Sequence, residues 1–296
     1  MTVCIAAICD LGTDPTSGIT SPKLLLCADR LVSTIVQFEA LGTSKIRVIG
    51  KYFLMATTND SNAVQIITNN VIHRVRELKN ISIKQTADVI SEECIKFKKS
   101  TIEKDILFKY ELITDKLKIN PDTLAKEAKS ELDSYIYELQ IELIIAGIEK
   151  DAKHPEIYTI NQNGNIRQHD SIGFVTIGSG ESLALSELTR HRYSPYTDLS
   201  RATMLVYFAK KAAERAIGVG DNTDLVVVHL VKKDESMSTD LAILSKEKII
   251  MQKLAKAFNE IHSNEGKEVE NTSRLMKTEI YDLLKINDQT PIKPKK

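Results

Sequence analysis

Threonine at position 2 is the first residue whose setting suggests chemistry, because loss of Met1 would leave it with a free α-amino group. Methionine followed by a small residue is a good context for that removal. An α-amine with an ordinary pKa of roughly 7.7–8.0 is partly unprotonated near neutral pH and can take the proton of the hydroxyl on its own residue. Nucleophile and general base then come from one residue. Asp29 closes an apolar run at Cys27-Ala28-Asp29-Arg30, and Lys45 opens another at Ser44-Lys45-Ile46. A lysine beside a hydroxyl favours the alkoxide, and a carboxylate beside the lysine keeps it charged and oriented. Taken singly, Thr2 also reads as an ordinary second residue, Asp29 and Arg30 as a solvated strand end, and Lys45 as a charge flanking a hairpin. Their order and spacing set them apart.

The elements around these residues read as strands. Val3–Cys9 and Lys23–Ala28 are short apolar runs separated by the turn-rich stretch Asp10–Pro22, and Ile46–Ile49 and Tyr52–Ala56 flank Gly50-Lys51 as a hairpin. Helical periodicity follows from Ser61 or Asn62, through Val64, Ile67, Val71 and Val75, and again over Lys84–Phe97. Residues 100–120 are rich in lysine and weakly periodic, and Pro121 favours a helix start that would run to about Leu139. Strands return at Glu142–Gly147, Glu156–Asn161, Asn165–His169 and Phe174–Ile177, the second and third joined across Asn163-Gly164. Helices are expected over Glu181–Arg192 and Leu199–Ala216, then a last strand over Leu225–Val231. Strands and helices thus come in blocks, which points to layered sheets covered by helices rather than to alternating βαβ units.

Two domains are expected. Residues 1–235 carry the strands and helices above. Residues 236–296 read as a helical appendage with a disordered tail, with one apolar stripe at Ile250, Leu254, Phe258 and Ile261 and another at Met276, Ile280, Leu283 and Leu284.

Composition narrows the function. Lys plus Arg and Asp plus Glu are both 40, so no basic excess argues for nucleic acid or an anionic membrane as a partner. No apolar run reaches the roughly 18–20 residues of a membrane span, and Val3–Cys9 is too short for a signal core, so a cytoplasmic protein is expected. Cys4, Cys9, Cys27 and Cys94 are scattered, and the six histidines show no HxH or HxxxH pairing, so neither metal nor cofactor is expected. The cysteines read as reduced, buried and structural.

In its opening strand with Thr2, in Ala28-Asp29-Arg30, in Lys45-Ile46, and in Thr176-Ile177-Gly178-Ser179-Gly180 leading into a helix, the chain resembles the proteasome β-subunit family of N-terminal nucleophile (Ntn) hydrolases and its simpler bacterial relatives. The resemblance covers about residues 2–232. It implies an α+β fold, a four-layer αββα sandwich of two antiparallel sheets flanked by helices. It also implies that Thr2 attacks a carbonyl, Lys45 lowers the hydroxyl pKa, Asp29 holds Lys45, and Ser179 bonds near the Thr2 amine. Family members commonly assemble into rings, so a homo-oligomer is expected.

The sequence departs from the family in three places. Thr57-Thr58-Asn59-Asp60 stands where the family has a glycine-rich stretch, so Thr57 becomes a pocket residue and Asn59 the candidate oxyanion site. Asp221 is the nearest candidate for a supporting aspartate before the last strand but lies out of register. Residues 98–140 are longer than the family's usual connection, and the appendage has no counterpart in the core family.

The leading expectation is a threonine-type amidohydrolase, specifically a peptidase, acting on a peptide or amide substrate. A non-catalytic proteasome-like scaffold or binding subunit, and an Ntn amidase for a small molecule, are the alternatives. Because only a free Thr2 amine can act as internal base, intact mass spectrometry of the native protein is expected to show a chain without Met1. Retention of Met1 in most molecules would favour the scaffold.

Overall fold

Cys4–Cys9 (β1) and Lys23–Asp29 (β2) are buried along their whole length, so each needs a covering layer on both faces. The rest of the fold supplies those layers. The computed structural model describes residues 2–11, 22–31, 44–57, 61–108, 129–131, 133, 134, 140–149, 154–233, 236–263 and 280.

Two five-stranded sheets form the centre. With β3 (Ile46–Ile49), β4 (Tyr52–Thr57), β5 (Glu142–Ile148), β6 (Pro155–Asn161), β7 (Ile166–Gln168), β8 (Phe174–Ile177), β9 (Thr223–Lys233) and β10 (Ser236–Ile243), the orders are β10-β9-β2-β1-β8 and β3-β4-β5-β6-β7. Every pairing is antiparallel. The two-residue alternation of side chains sorts the core. Cys4, Ala6, Ile8, Leu24 and Leu26 meet Phe53, Met55, Ile144 and Ala146 between the sheets. Val3, Ile5, Ala7, Leu25 and Leu225 point outward to α3 (Glu181–Arg190), α4 (Leu199–Ala213) and α5 (Lys248–Ser263). Leu54, Leu143 and Ile145 point outward to α1 (Ser61–Leu78) and α2 (Ile83–Thr101). The result is the helix–sheet–sheet–helix sandwich expected.

Local sequence accounts for the element ends. Ser82 and Gln85 form a capping box at α2, Ser82 Oγ receiving the Gln85 N–H at 3.1 Å and Gln85 Oε1 receiving the Ser82 N–H at 2.8 Å. Asp198 caps α4 by accepting from the Arg201 N–H at 3.1 Å. The β6–β7 turn carries Gly164 at φ +74°, and its carbonyl accepts from Ser91 Oγ of α2 at 2.6 Å. Among the described residues no helix is long and apolar enough to cross a membrane.

Two expectations are corrected. Residues 236–243 were expected to open a helical appendage, but they form β10, pairing along β9 from Ser236 opposite Lys233 to Ile243 opposite Val226. Without β10 the long apolar strand β9 would present a free edge, which is why the polar run Ser236–Asp240 is drafted into the sheet. The helix after it is also no separate body: Ile250, Leu254 and Ala257 are buried in the core under α4, and Phe258 packs edge-on against Phe208 at 5.4 Å. Ile280, from the second apolar stripe, is buried in the same cluster. Over the Lys-rich segment, α2 runs into a π-helical turn at Ile102–Leu107. Of the helix expected to Leu139, only 129–131, 133 and 134 are described, and their backbone is helical. The other residues of that helix, with Ile261 and the remainder of the second stripe, lie outside what is described for their side chains.

Burial of α5 carries a stability prediction. Leu254 is fully buried and Ile249 is 65% exposed. Leu254→Ala is expected to lower unfolding stability by about 2–4 kcal/mol, and Ile249→Ala by about 0.5 kcal/mol or less, in urea titrations. Equal, small effects would mean that α5 is not part of the cooperative core.

Candidate active site

Strand register brings Thr2 to its neighbours. Cys4 lies opposite Ala28 on β2 and opposite Ile177 on β8. Two residues further back, the chain must pass between the end of β2 and the Gly178-Ser179 step after β8. The Asp29 N–H donates to the Val3 carbonyl at 3.3 Å, and the Gly180 N–H to the Thr2 carbonyl at 3.2 Å. Lys45 comes from the other sheet, one residue before β3, and reaches across the mouth of the sandwich.

The side chains converge there. Lys45 Nζ donates to Thr2 Oγ1 and, at 2.8 Å, to Asp29 Oδ1, which also receives the Thr2 hydroxyl. The Val3 N–H reaches the same carboxylate oxygen at 3.0 Å. The Leu31 and Gly220 N–H groups meet Oδ2 at 3.0 and 3.1 Å. Asp29 and Thr2 are buried, so this pairing takes place largely away from water, where unmet polar groups are costly. Ser179 Oγ accepts the Thr2 N–H at 3.1 Å and donates to the Thr2 carbonyl at 3.3 Å. Gly178 is obligatory for this approach. Its φ is +97°, and a side chain there would strike the Thr2 carbonyl oxygen.

Cys4 stands next to this group, but burial pushes its thiol pKa up to about 12, so it stays a thiol and is no rival nucleophile.

A cleft of about 510 Å³ opens beside Thr2, lined by Thr57, Glu142, Asn161, Gly178 and Ser179 among others. Thr57 is therefore in the wall. Asn59 lies outside the described residues. Asp221 does not join the group. Its side chain is exposed, and its carbonyl accepts from Lys210 Nζ at 2.7 Å. The preceding residue serves the site instead, through the Gly220 N–H on Asp29, because a tight loop can bring a backbone donor closer than a side chain.

Lys210 was missed altogether. Its side chain is completely buried, contacts Glu214, and donates to the carbonyls of Gly220 at 2.9 Å and Asp221 at 2.7 Å. It thereby holds the loop that hydrogen-bonds Asp29. Burial lowers its pKa. The signal was present in the sequence: Lys210 is four residues from Val206, on the apolar face of α4, where a charge needs an internal partner.

Comparison with known proteins agrees with this architecture. A family model described as proteasome subunit matches residues 104–228. The solved structure of a mutant of Anbu, from Hyphomicrobium sp. strain MC1, aligns over 98% of this chain and 99% of its own, with a TM-score of 0.51 and 14% identity. At that identity the likeness is one of fold. No curated protein matches the chain in sequence. The fold is proteasome-like, as the motifs suggested.

The role of Lys210 can be measured. Lys210→Met leaves the buried Gly220 carbonyl without the ammonium that donates to it, takes one donor from the Asp221 carbonyl, and is expected to cost about 2–3 kcal/mol of stability. Lys211→Met, which removes a more exposed partner of Glu214, should cost about 0.5 kcal/mol or less. Similar losses in both variants, by chemical unfolding, would contradict the assignment.

Proposed function

We propose that the protein is a threonine-type amidohydrolase, and more narrowly a peptidase, acting through Thr2 of the chain from which Met1 has been removed. One observation carries the reading: Lys45 Nζ contacts both Thr2 Oγ1 and Asp29 Oδ1, the latter at 2.8 Å. An ammonium so held favours alkoxide character at Oγ1, and the α-amine of the freed Thr2 accepts the hydroxyl proton. Oγ1 then adds to the substrate carbonyl. As the adduct collapses, the proton held by the amine passes to the leaving nitrogen, and an ester remains on Thr2. Water activated by the same amine hydrolyses the ester and restores the hydroxyl.

Asp29 positions Lys45 in this scheme. Ser179, which receives the Thr2 N–H at 3.1 Å, orients the amine. Thr57 shapes the cleft wall, and a backbone N–H near Asn59 is the proposed oxyanion donor. Asp221 takes no direct part; its loop contributes through Gly220. The chemistry needs no cofactor or metal. A cytoplasmic homo-oligomer is the setting most in keeping with the proteasome-like fold.

An α′,β′-epoxyketone reacts with both the hydroxyl and the amine of an N-terminal threonine and closes a ring, which an internal serine or cysteine nucleophile cannot do. A panel of such probes is expected to modify Thr2 in Met1-free protein, with the adduct located by peptide mass spectrometry. Thr2→Ala should abolish the adduct, Thr2→Ser should retain part of it, and Lys45→Ala should slow it by about 10²-fold or more, since loss of one charge-stabilising group in such a site costs several kcal/mol of barrier. No labelling across the panel, or labelling that survives Thr2→Ala, would overturn the hydrolase reading in favour of a non-catalytic scaffold.

A further inference from the structure

The cleft has a charged wall whose position follows from strand register. On the second sheet Thr57 lies opposite Glu142, and Glu142 lies opposite Asn161. By the alternation of side chains, these three share the face that carries Met55, Ile144 and Ile157 deeper between the sheets. They form the row at which the apolar interior becomes polar, and they line the cleft together with Thr2 and Ser179. Of the described residues lining the cleft, Glu142 alone bears an ionisable side chain.

Among the described residues few charges stand at this mouth. The ion pairs formed among the described residues do not include Glu142. The nearby cation, Lys45, is engaged by Asp29 and Thr2. Glu181, the first residue of α3 just past Ser179-Gly180, adds a second negative charge: burial, and then repulsion from Glu142, raises its carboxyl pKa. A half-buried carboxylate with no internal cation stabilises whatever positive group enters beside it and repels a negative one.

We propose that the cleft selects substrates with a basic side chain, lysine or arginine, next to the scissile amide, and that Glu142 is the residue that determines this specificity. The proposal rests on Thr2 being the nucleophile. A cleft of about 510 Å³ holds one long side chain in extended form with part of the adjoining backbone.

The test uses full-length Met1-free protein and a matched series of fluorogenic peptides that differ only in the residue on the acyl side of the scissile bond: arginine, lysine, citrulline, leucine or glutamate. Citrulline keeps the shape of arginine without its charge. The same series built as epoxyketones reads out labelling rates at Thr2 if turnover is too slow to follow. Arginine and lysine are expected to exceed citrulline by on the order of tenfold in kcat/KM or labelling rate, the size of one hydrogen bond to a charged group. Glu142→Gln, nearly isosteric, should bring the arginine-to-citrulline ratio close to one, and Glu142→Lys should turn the preference toward glutamate. Glu142→Asp should retain part of the original preference. Equal rates for arginine and citrulline in the unaltered protein, or a ratio unchanged in Glu142→Gln, would overturn the specificity while leaving the nucleophile standing. Failure of every probe to label Thr2 would remove the hydrolase reading and this inference with it.

Discussion

Asp29 ends a strand that is covered on both sides, and its carboxylate is 0% exposed, so its oxygens must be met by donors from the protein itself. Those donors come from well-separated parts of the chain: the Val3 N–H before β1, the Leu31 N–H beyond β2, Lys45 before β3, the Gly220 N–H before β9, and the Thr2 hydroxyl. Few arrangements of two sheets satisfy one buried carboxylate from so many directions. Much of the architecture around the site follows from meeting this requirement. The chain before β1 is drawn against the end of β2, the hairpin of the second sheet is drawn over the first, and the loop after α4 is drawn inward.

The loop after α4 illustrates how one buried charge calls for another. Gly220 can donate to Asp29 only if its own carbonyl, facing inward, is also satisfied, and Lys210 does this from the floor of α4. Lys210 in turn leans on Glu214, which is partly exposed and connects the group to solvent. The polar network is thus continuous from the cleft, through the sheet, to the outer helix layer, while the side chains around it remain apolar. Continuity of this kind matters because a half-satisfied polar network is worse than an apolar core.

The parts of this arrangement that sequence patterns reveal are those with local causes. The strands from Val3 to Ala56 and from Glu142 to Ile177 have short apolar or alternating runs and strong turn residues, and the structure has them within a residue or two. Asp29 and Lys45 stood out because each closes or opens such a run, Thr2 because it follows Met1, and Ser179 through the resemblance of the Gly178-Ser179-Gly180 step, and the structure brings the four together. What sequence concealed has non-local causes. Ser236–Ile243 mixes polar and apolar residues evenly, and the open edge of β9 accounts for its being a strand. Gly220 acts through its backbone N–H, for which no side-chain motif exists, and Lys210 through an ammonium on backbone carbonyls, marked in the sequence by nothing more than a charge on the apolar face of α4. Asp221 attracted attention because it is a carboxylate in the right neighbourhood, but a side chain's type does not fix the direction in which a loop turns it.

Thr2, Asp29 and Ser179 ride on one sheet, and Lys45 rides on the other. What lies between is the apolar packing of Cys4, Ala6, Leu26, Met55 and Ala146, which holds mainly by contact area, with a weak bond from Cys4 Sγ to the Ala56 carbonyl at 3.9 Å as a directional contact from one face to the other. Such an interface resists separation far more strongly than it resists slip. A slide of about an ångström between the two sheets would leave every strand ladder intact and the core still dry, yet it would carry the ammonium away from the hydroxyl. The group therefore works as a vernier: it reports the relative setting of two rigid plates to a precision that the overall stability of the fold does not require. Forces applied at the outer helices, far from the cleft, would reach the contact between Lys45 and Thr2 through such a slide.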